Sequence, residues 1–129
     1  MCILGAFVEN CPYKLGKNGV CMDALTIAKK IYEKLNELEG QKVELKTSIQ
    51  SRVNAQVDYD KALALEILKL RDKGIPISIV EKVAKGNIWE KTLDLERSEG
   101  VLKGVESNIR STQAQLNGLQ SINKYFAEV

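Results

Sequence analysis

Few side chains in this chain are equipped for chemistry. There is no histidine anywhere, which removes the commonest general base and the commonest metal ligand together. Cys2, Cys11 and Cys21 all fall within the first 21 residues. An odd, clustered set does not make a disulfide framework, and spacings of nine and ten residues lack the Cys-x-x-Cys knuckle of a zinc site, so the three read as free thiols in a reducing compartment. The acidic pairs Asp58/Asp60 and Glu96/Glu99 have the residue type that metal-dependent nucleases use. On segments this rich in Lys and Glu they read instead as solvated helix faces. No Gly-rich phosphate loop, G-x-S-x-G elbow or H-E-x-x-H pair is present in the sequence, and no cysteine has a histidine to activate it. The expectation is a chain that is not an enzyme and takes no cofactor and no metal.

What remains is binding. Lys69, Arg71, Lys73, Lys82, Lys85 and Lys91 gather around one stretch of sequence with Trp89 among them. With Lys61 they outnumber Glu66, Asp72, Glu81 and Glu90, which favours an acidic partner surface or nucleic acid. These residues, Trp89 included, are the candidate partner-binding set. Within the stretch, Gly74 to Gly86 reads as a turn followed by a short helix, a faint echo of a helix-turn-helix. It offers no Asn, Gln or Arg suited to reading bases, so a structural elbow is the better reading. The net charge of only +2 gives dedicated DNA binding little support. Trp89 reads either as an interface anchor or, more commonly for a lone tryptophan beside a turn, as a plug in the end of a helical core. Tyr125 and Phe126 read as the plug at the other end.

The elements that must position these residues are helical. At 129 residues, 44% hydrophobic and 28% charged, the chain has the length and composition of a single folded domain. With two Phe, four Tyr and one Trp, its core must come from Leu, Ile, Val and Ala. Residues 1–21 show no helical period. They read as an arm, with Ile3 to Val8 a loop or short strand and Gly16, Asn18 and Gly19 supplying turn chemistry. The helical domain is then 22–129. From Asp23, a seam of Ala28, Ile31, Leu35, Leu38, Leu45 and Ile49 recurs at steps of three and four, with Lys42 at its one polar position. Beyond Ile49 the stripe shifts to Val53 and Val57, as in a stutter, and resumes with Leu63, Ile67 and Leu70.

Gly74 and Pro76 stop this helix after Lys73, a run of ~75 Å at the standard rise per residue. Ser78 and Glu81 form a capping-box signature for a short helix with Ile79, Val80, Val83 and Ala84 as its apolar face, ending at Gly86. Asn87 then caps a second long stripe: Leu95, Leu102, Val105, Ile109, Leu116, Leu119 and Phe126, with Ser98, Thr112 and Asn123 at the remaining heptad positions. Gly100, Gly104 and Gly118 weaken that helix and offer room for close helix approach. Each stripe alone leaves its seam in water, and folding back buries both. The fold class expected is therefore all-α: a long antiparallel, coiled-coil-like helical hairpin with a short capped helix at the elbow and a short non-helical N-terminal arm. Apolar surface left over near the apex, at Leu65, Leu68 and Trp89, predicts a homo-oligomer, most simply a dimer. With no ~20-residue apolar run and no export-signal pattern, the expected location is the cytoplasm and no membrane contact is foreseen.

The stretch Tyr59-Asp-Lys-Ala-Leu-Ala-Leu-Glu-Ile-Leu-Lys-Leu-Arg-Asp-Lys-Gly-Ile-Pro, then Glu81-Lys-Val-Ala-Lys-Gly and a late Ala114-Gln-Leu-Asn-Gly-Leu-Gln, resembles small helical proteins of phages and prophages of Gram-positive bacteria. The likeness covers roughly the last two-thirds of the chain and supplies no catalytic residue. It implies a phage setting, the host-cell cytoplasm as location, and a protein that works by occupying a surface of a host protein complex, as anti-CRISPR and other anti-defence inhibitors do. The alternatives are a nucleic-acid-binding accessory factor for phage replication or recombination, and a structural assembly protein.

Overall fold

A computed structural model describes residues 14–15, 20–21 and 23–128, with side chains described for 23–126. Two short strands, β1 (Lys14–Leu15) and β2 (Val20–Cys21), pair antiparallel with Lys14 opposite Cys21 and Leu15 opposite Val20. Gly16, Asn18 and Gly19 fall between them in sequence. Those three residues and Ile3 to Val8 lie outside the described residues. Three helices follow: α1 (Ala24–Asp72), α2 (Ile77–Asn87) and α3 (Trp89–Glu128). None is long and apolar enough to cross a membrane, among the described residues.

Contacts divide the chain into two compact units, Met1–Gly40 with Ile109–Val129, and Gln41–Asn108. In each, α1 packs against α3 as a helical hairpin. The fold is all-α in the sense expected.

Helix α1 starts where Asp23 accepts the Thr26 backbone N–H on Oδ1 at 2.8 Å, while its carbonyl accepts from Ile27 N–H at 3.0 Å. Asp23 is thus the N-cap, and it satisfies donors that the first turn otherwise leaves open. At the far end Gly74 adopts φ +86°. Its N–H donates to the Arg71 carbonyl at 3.0 Å and the Ile75 N–H to that of Leu70 at 3.1 Å. That pair of bonds is a Schellman closure, which places a left-handed residue, usually glycine, just past the helix.

The burial pattern of α1 corrects the expected seam. Covered positions run Ile27, Ile31, Lys34, Leu38, Gln41, Leu45, Ser48 and Arg52, then Ala55, Tyr59, Ala62 and Glu66, an unbroken alternation of four and three. Ile31, Leu38 and Leu45 were read correctly. Ala28, Leu35, Lys42 and Ile49 are exposed, each displaced by the residue just before it. Ser48 is 7% exposed and Ile49 45%. Nor does the seam shift after Ile49. Arg52 stays on it, and Val53 and Val57 are exposed. The reason is that α1 carries two adjacent apolar stripes, and stepping through the most hydrophobic residues crosses from one to the other. On α3 the expected heptad positions are the covered ones, with Val105, Thr112 and Leu116 buried. Asn123 alone departs, being exposed.

The elbow also departs from expectation in detail. Pro76, with φ −60° and ψ 145°, is the N-cap of α2, and no side chain caps that end. The Ser78/Glu81 capping box does not form, because the helix begins one residue before Ser78 and so places Ser78 inside the first turn rather than at the N-cap, while the Ile79 and Val80 N–H groups donate to the Pro76 carbonyl. Of the predicted apolar face only Val80 and Ala84 are buried, while Ile79 and Val83 are exposed. The helix passes through Gly86 to Asn87. Asn87 is therefore no N-cap. Its amide Nδ2 instead donates to Glu66 Oε1 on α1 at 2.9 Å, and only Ile88 separates α2 from α3. Leu70, Val80 and Ala84 form a buried cluster against which Leu63, Ile67 and Ile75 pack. Fully burying one such Val or Leu side chain contributes about 1.5–3 kcal/mol.

Candidate interaction surface

All seven candidate partner-binding residues lie in the unit Gln41–Asn108, and all are exposed. They reach the surface from three elements. On α1, Lys61, Leu65, Leu68 and Asp72 recur at steps of four, three and four on the side opposite Leu63, Ile67 and Leu70, so they share one outward face. Lys69, Arg71 and Lys73 flank it. On α2, Lys82 and Lys85 stand opposite the buried Val80 and Ala84. On α3, Trp89 and Leu93 are one turn apart, away from the half-buried Leu95.

Electrostatics separates these cations. Arg71 Nη1 donates to the Ile75 carbonyl at 3.4 Å, which turns its guanidinium back onto the helix end. Lys85 Nζ pairs with Glu81 Oε1 at 2.8 Å. The hydrogen bond between them, reinforced by their opposite charges, raises the lysine above its ordinary value and lowers the carboxylate. Lys69, Lys73, Lys82 and Lys91 have no ion pair among the described residues.

Trp89 is 60% exposed, so it does not plug the hairpin. The half-buried Ile88 precedes it, and the indole is left over the outside of α3. Tyr125, also read as an end plug, is likewise exposed. Phe126 is half-buried and meets the Tyr125 ring edge-on at a centroid distance of 6.2 Å. Leu65 and Leu68 are uncovered, as the leftover apolar surface near the apex required. These side chains all lie on exposed helix faces, unlike the enclosed lining of small-molecule sites.

The acidic pairs stay apart from any such surface. Asp58, Asp60 and Glu96 are exposed, Asp60 accepts from Gln56 at 3.0 Å, and Glu99 is paired with Arg52 at 3.2 Å. Among the described residues no group of three or more acidic or cysteine side chains is placed to hold a metal. An open groove of about 500 Å³ lies in the other unit, lined by Lys30, Glu33, Lys34, Gly118, Leu119 and Ile122 among others. The helix-approach role foreseen for Gly100, Gly104 and Gly118 is not realised, since a Cβ at each would meet nothing within 4 Å. Sequence reasoning missed Leu93 and the Glu66–Asn87 tie. Leu93 is visible as the residue one turn after Trp89. The tie joins positions 21 apart and has no local signal.

No protein-family model matches the chain, and no match was found among curated proteins or solved structures.

Proposed function

We propose that this chain is a non-enzymatic protein-binding module that works by occupying a surface of a larger complex, and in the phage setting its sequence resembles, an inhibitor of a host defence complex of the anti-CRISPR kind. The observation that carries the reading is the elbow's exposed surface: Trp89 with Leu93, and Leu65 with Leu68, accompanied by the unpaired Lys69, Lys73, Lys82 and Lys91. Aromatic anchors bordered by charge are the residue types that dominate protein interfaces. The Schellman closure and the buried cluster beneath hold this surface on fixed helices, so little ordering is needed on binding.

The test is affinity capture from host lysate with the wild-type chain and with Trp89→Ala and Lys82→Glu variants, alongside phage plaque assays. Recovery of one defence component by the wild type, its loss with the variants and matching loss of phage protection are expected. Capture of no defence component together with no protection overturns the reading.

A second reading, a nucleic-acid-binding accessory factor, is favoured by the same four unpaired lysines. It requires DNA binding whose affinity falls linearly in a log–log plot against salt, with a slope reduced by removing them.

A further inference from the structure

The turn from α1 into α2, inside the unit Gln41–Asn108, carries apolar side chains that stay uncovered. Val80 and Ala84 are the buried face of α2, and Ile77 lies one turn before Val80 on the same side of the helix, at i, i+3 and i+7. Helix α1 has already ended at Asp72. The first turn of α2 therefore overhangs the packing, and Ile77 is 72% exposed, more than any other large apolar side chain among the described residues. Pro76 and Ile79 are exposed beside it in sequence. The Schellman bonds of Gly74 and Ile75, the Arg71 bond to the Ile75 carbonyl and the fixed φ of Pro76 hold the turn in this form.

The charge around this tip has one dominant sign. From Lys69 to Lys85 there are five cations, Lys69, Arg71, Lys73, Lys82 and Lys85, against two carboxylates, Asp72 and Glu81, and Glu81 is already taken up by Lys85 at 2.8 Å. An apolar tip flanked by lysines matches a surface that is anionic outside and apolar just beneath. Duplex nucleic acid offers the first and not the second, and the tip has no aromatic ring to stack on a base. A bilayer with anionic headgroups offers both. It accepts isoleucine and proline without a shaped pocket, and it lets lysine stems lie along apolar groups while the ammonium meets phosphate. We propose that the turn between α1 and α2 is a peripheral anchor for anionic lipid bilayers, in which Pro76, Ile77 and Ile79 enter the interface and Lys69, Lys73 and Lys82 meet the headgroups. The expectation of no membrane contact rested on spanning and export patterns, and a peripheral tip needs neither. Trp89, Leu93, Leu65 and Leu68 take no part in the anchor, which goes beyond the protein-binding role and does not depend on it.

Flotation of the full chain with vesicles of phosphatidylcholine alone, or containing about a third phosphatidylserine, tests this. The wild type is expected to float with the mixed vesicles, to bind the neutral ones roughly tenfold less well, and to be released as salt is raised. Ile77→Asn/Ile79→Asn, at two exposed positions, is expected to keep the wild-type circular dichroism and to lose roughly tenfold or more in binding. Lys73→Glu/Lys82→Glu is expected to weaken binding by a similar factor. Val101→Asn, on an exposed site of α3, is expected to leave it unchanged. In a Trp89→Phe/Ile77→Trp variant the sole tryptophan stands at the tip, and its emission is expected to shift to the blue on the mixed vesicles. Absence of flotation, binding indifferent to the isoleucine pair, or an unshifted tryptophan overturns the proposal. Duplex DNA bound in place of vesicles, with Lys73 and Lys82 required, overturns it in favour of nucleic acid.

Discussion

The Ile75 backbone N–H reaches back over Gly74 to the Leu70 carbonyl at 3.1 Å, and the same two residues pack into the buried cluster with Val80 and Ala84. Helix termination and core formation are thus one event at the elbow. Gly74 makes it available through its positive φ, and there is open space where its Cβ would stand. Gly74→Ala is therefore expected to destabilise by about 1 kcal/mol through backbone strain alone. Gly118, in helical conformation with equally open space, is expected to respond in the opposite sense, Gly118→Ala stabilising by about 0.5–1 kcal/mol. Urea titrations of the two variants check both signs.

Leu70 and Leu68 are two residues apart and differ tenfold in exposure, 6% against 62%. Leu70→Ala is expected to lower stability by about 2–3 kcal/mol, the lower part of the range for buried leucines because the cluster is small. Leu68→Ala is expected to stay within about 0.5 kcal/mol of wild type. Thermal melts of both variants decide it.

Arg52 and Glu99 link α1 to α3 at 3.2 Å with both side chains about a third exposed. Solvent screens such a pair, so a double-mutant cycle with Arg52→Ala and Glu99→Ala is expected to give a coupling of no more than about 1 kcal/mol, diminishing as salt is added.

Asp23 is held below the ordinary carboxylate value chiefly by its hydrogen bonds with Thr26. A folded-state pKa below the unfolded one means the cap's contribution is fully present above the unfolded value, near 3.8, and is lost as pH falls through the lower folded value. Asp23→Asn is expected to retain the cap at neutral pH and to flatten this acid-side loss. Stability measured from pH 6 down to about 2 shows whether the two profiles converge in that window.

Much of this architecture was legible in the residues. The α3 seam was read almost completely because a single apolar stripe runs along it, and Gly74 with Pro76 marked the elbow because both act through local backbone geometry. The α1 seam was half legible. Where Lys34, Gln41 and Ser48 sit beside Leu35, Lys42 and Ile49, hydrophobicity alone points to the wrong neighbour in two of three cases, and only the packed partner shows which is covered. The capping box failed for a related reason. Pro76 takes the N-cap position, which puts Ser78 inside the first turn, where its side chain cannot act as the cap. Of the candidate surface, the exposure of the basic residues was legible from their charge, but that of Trp89 was not, since burial at a helix start depends on where the preceding residue points.

The cluster at the elbow also bears on how the chain finds its fold. Leu70 and Val80 are separated by a short, stiffened loop, whereas the Arg52–Glu99 pair closes a much longer one, and loop closure grows costlier with length. Folding should nucleate at the elbow and zip outward along α1 and α3, giving φ values highest for Leu70 and Val80 and falling toward Ile31 and Leu119. The turn is then the starting point of assembly, and the two free ends of the helices are the last parts to dock and the first to fray.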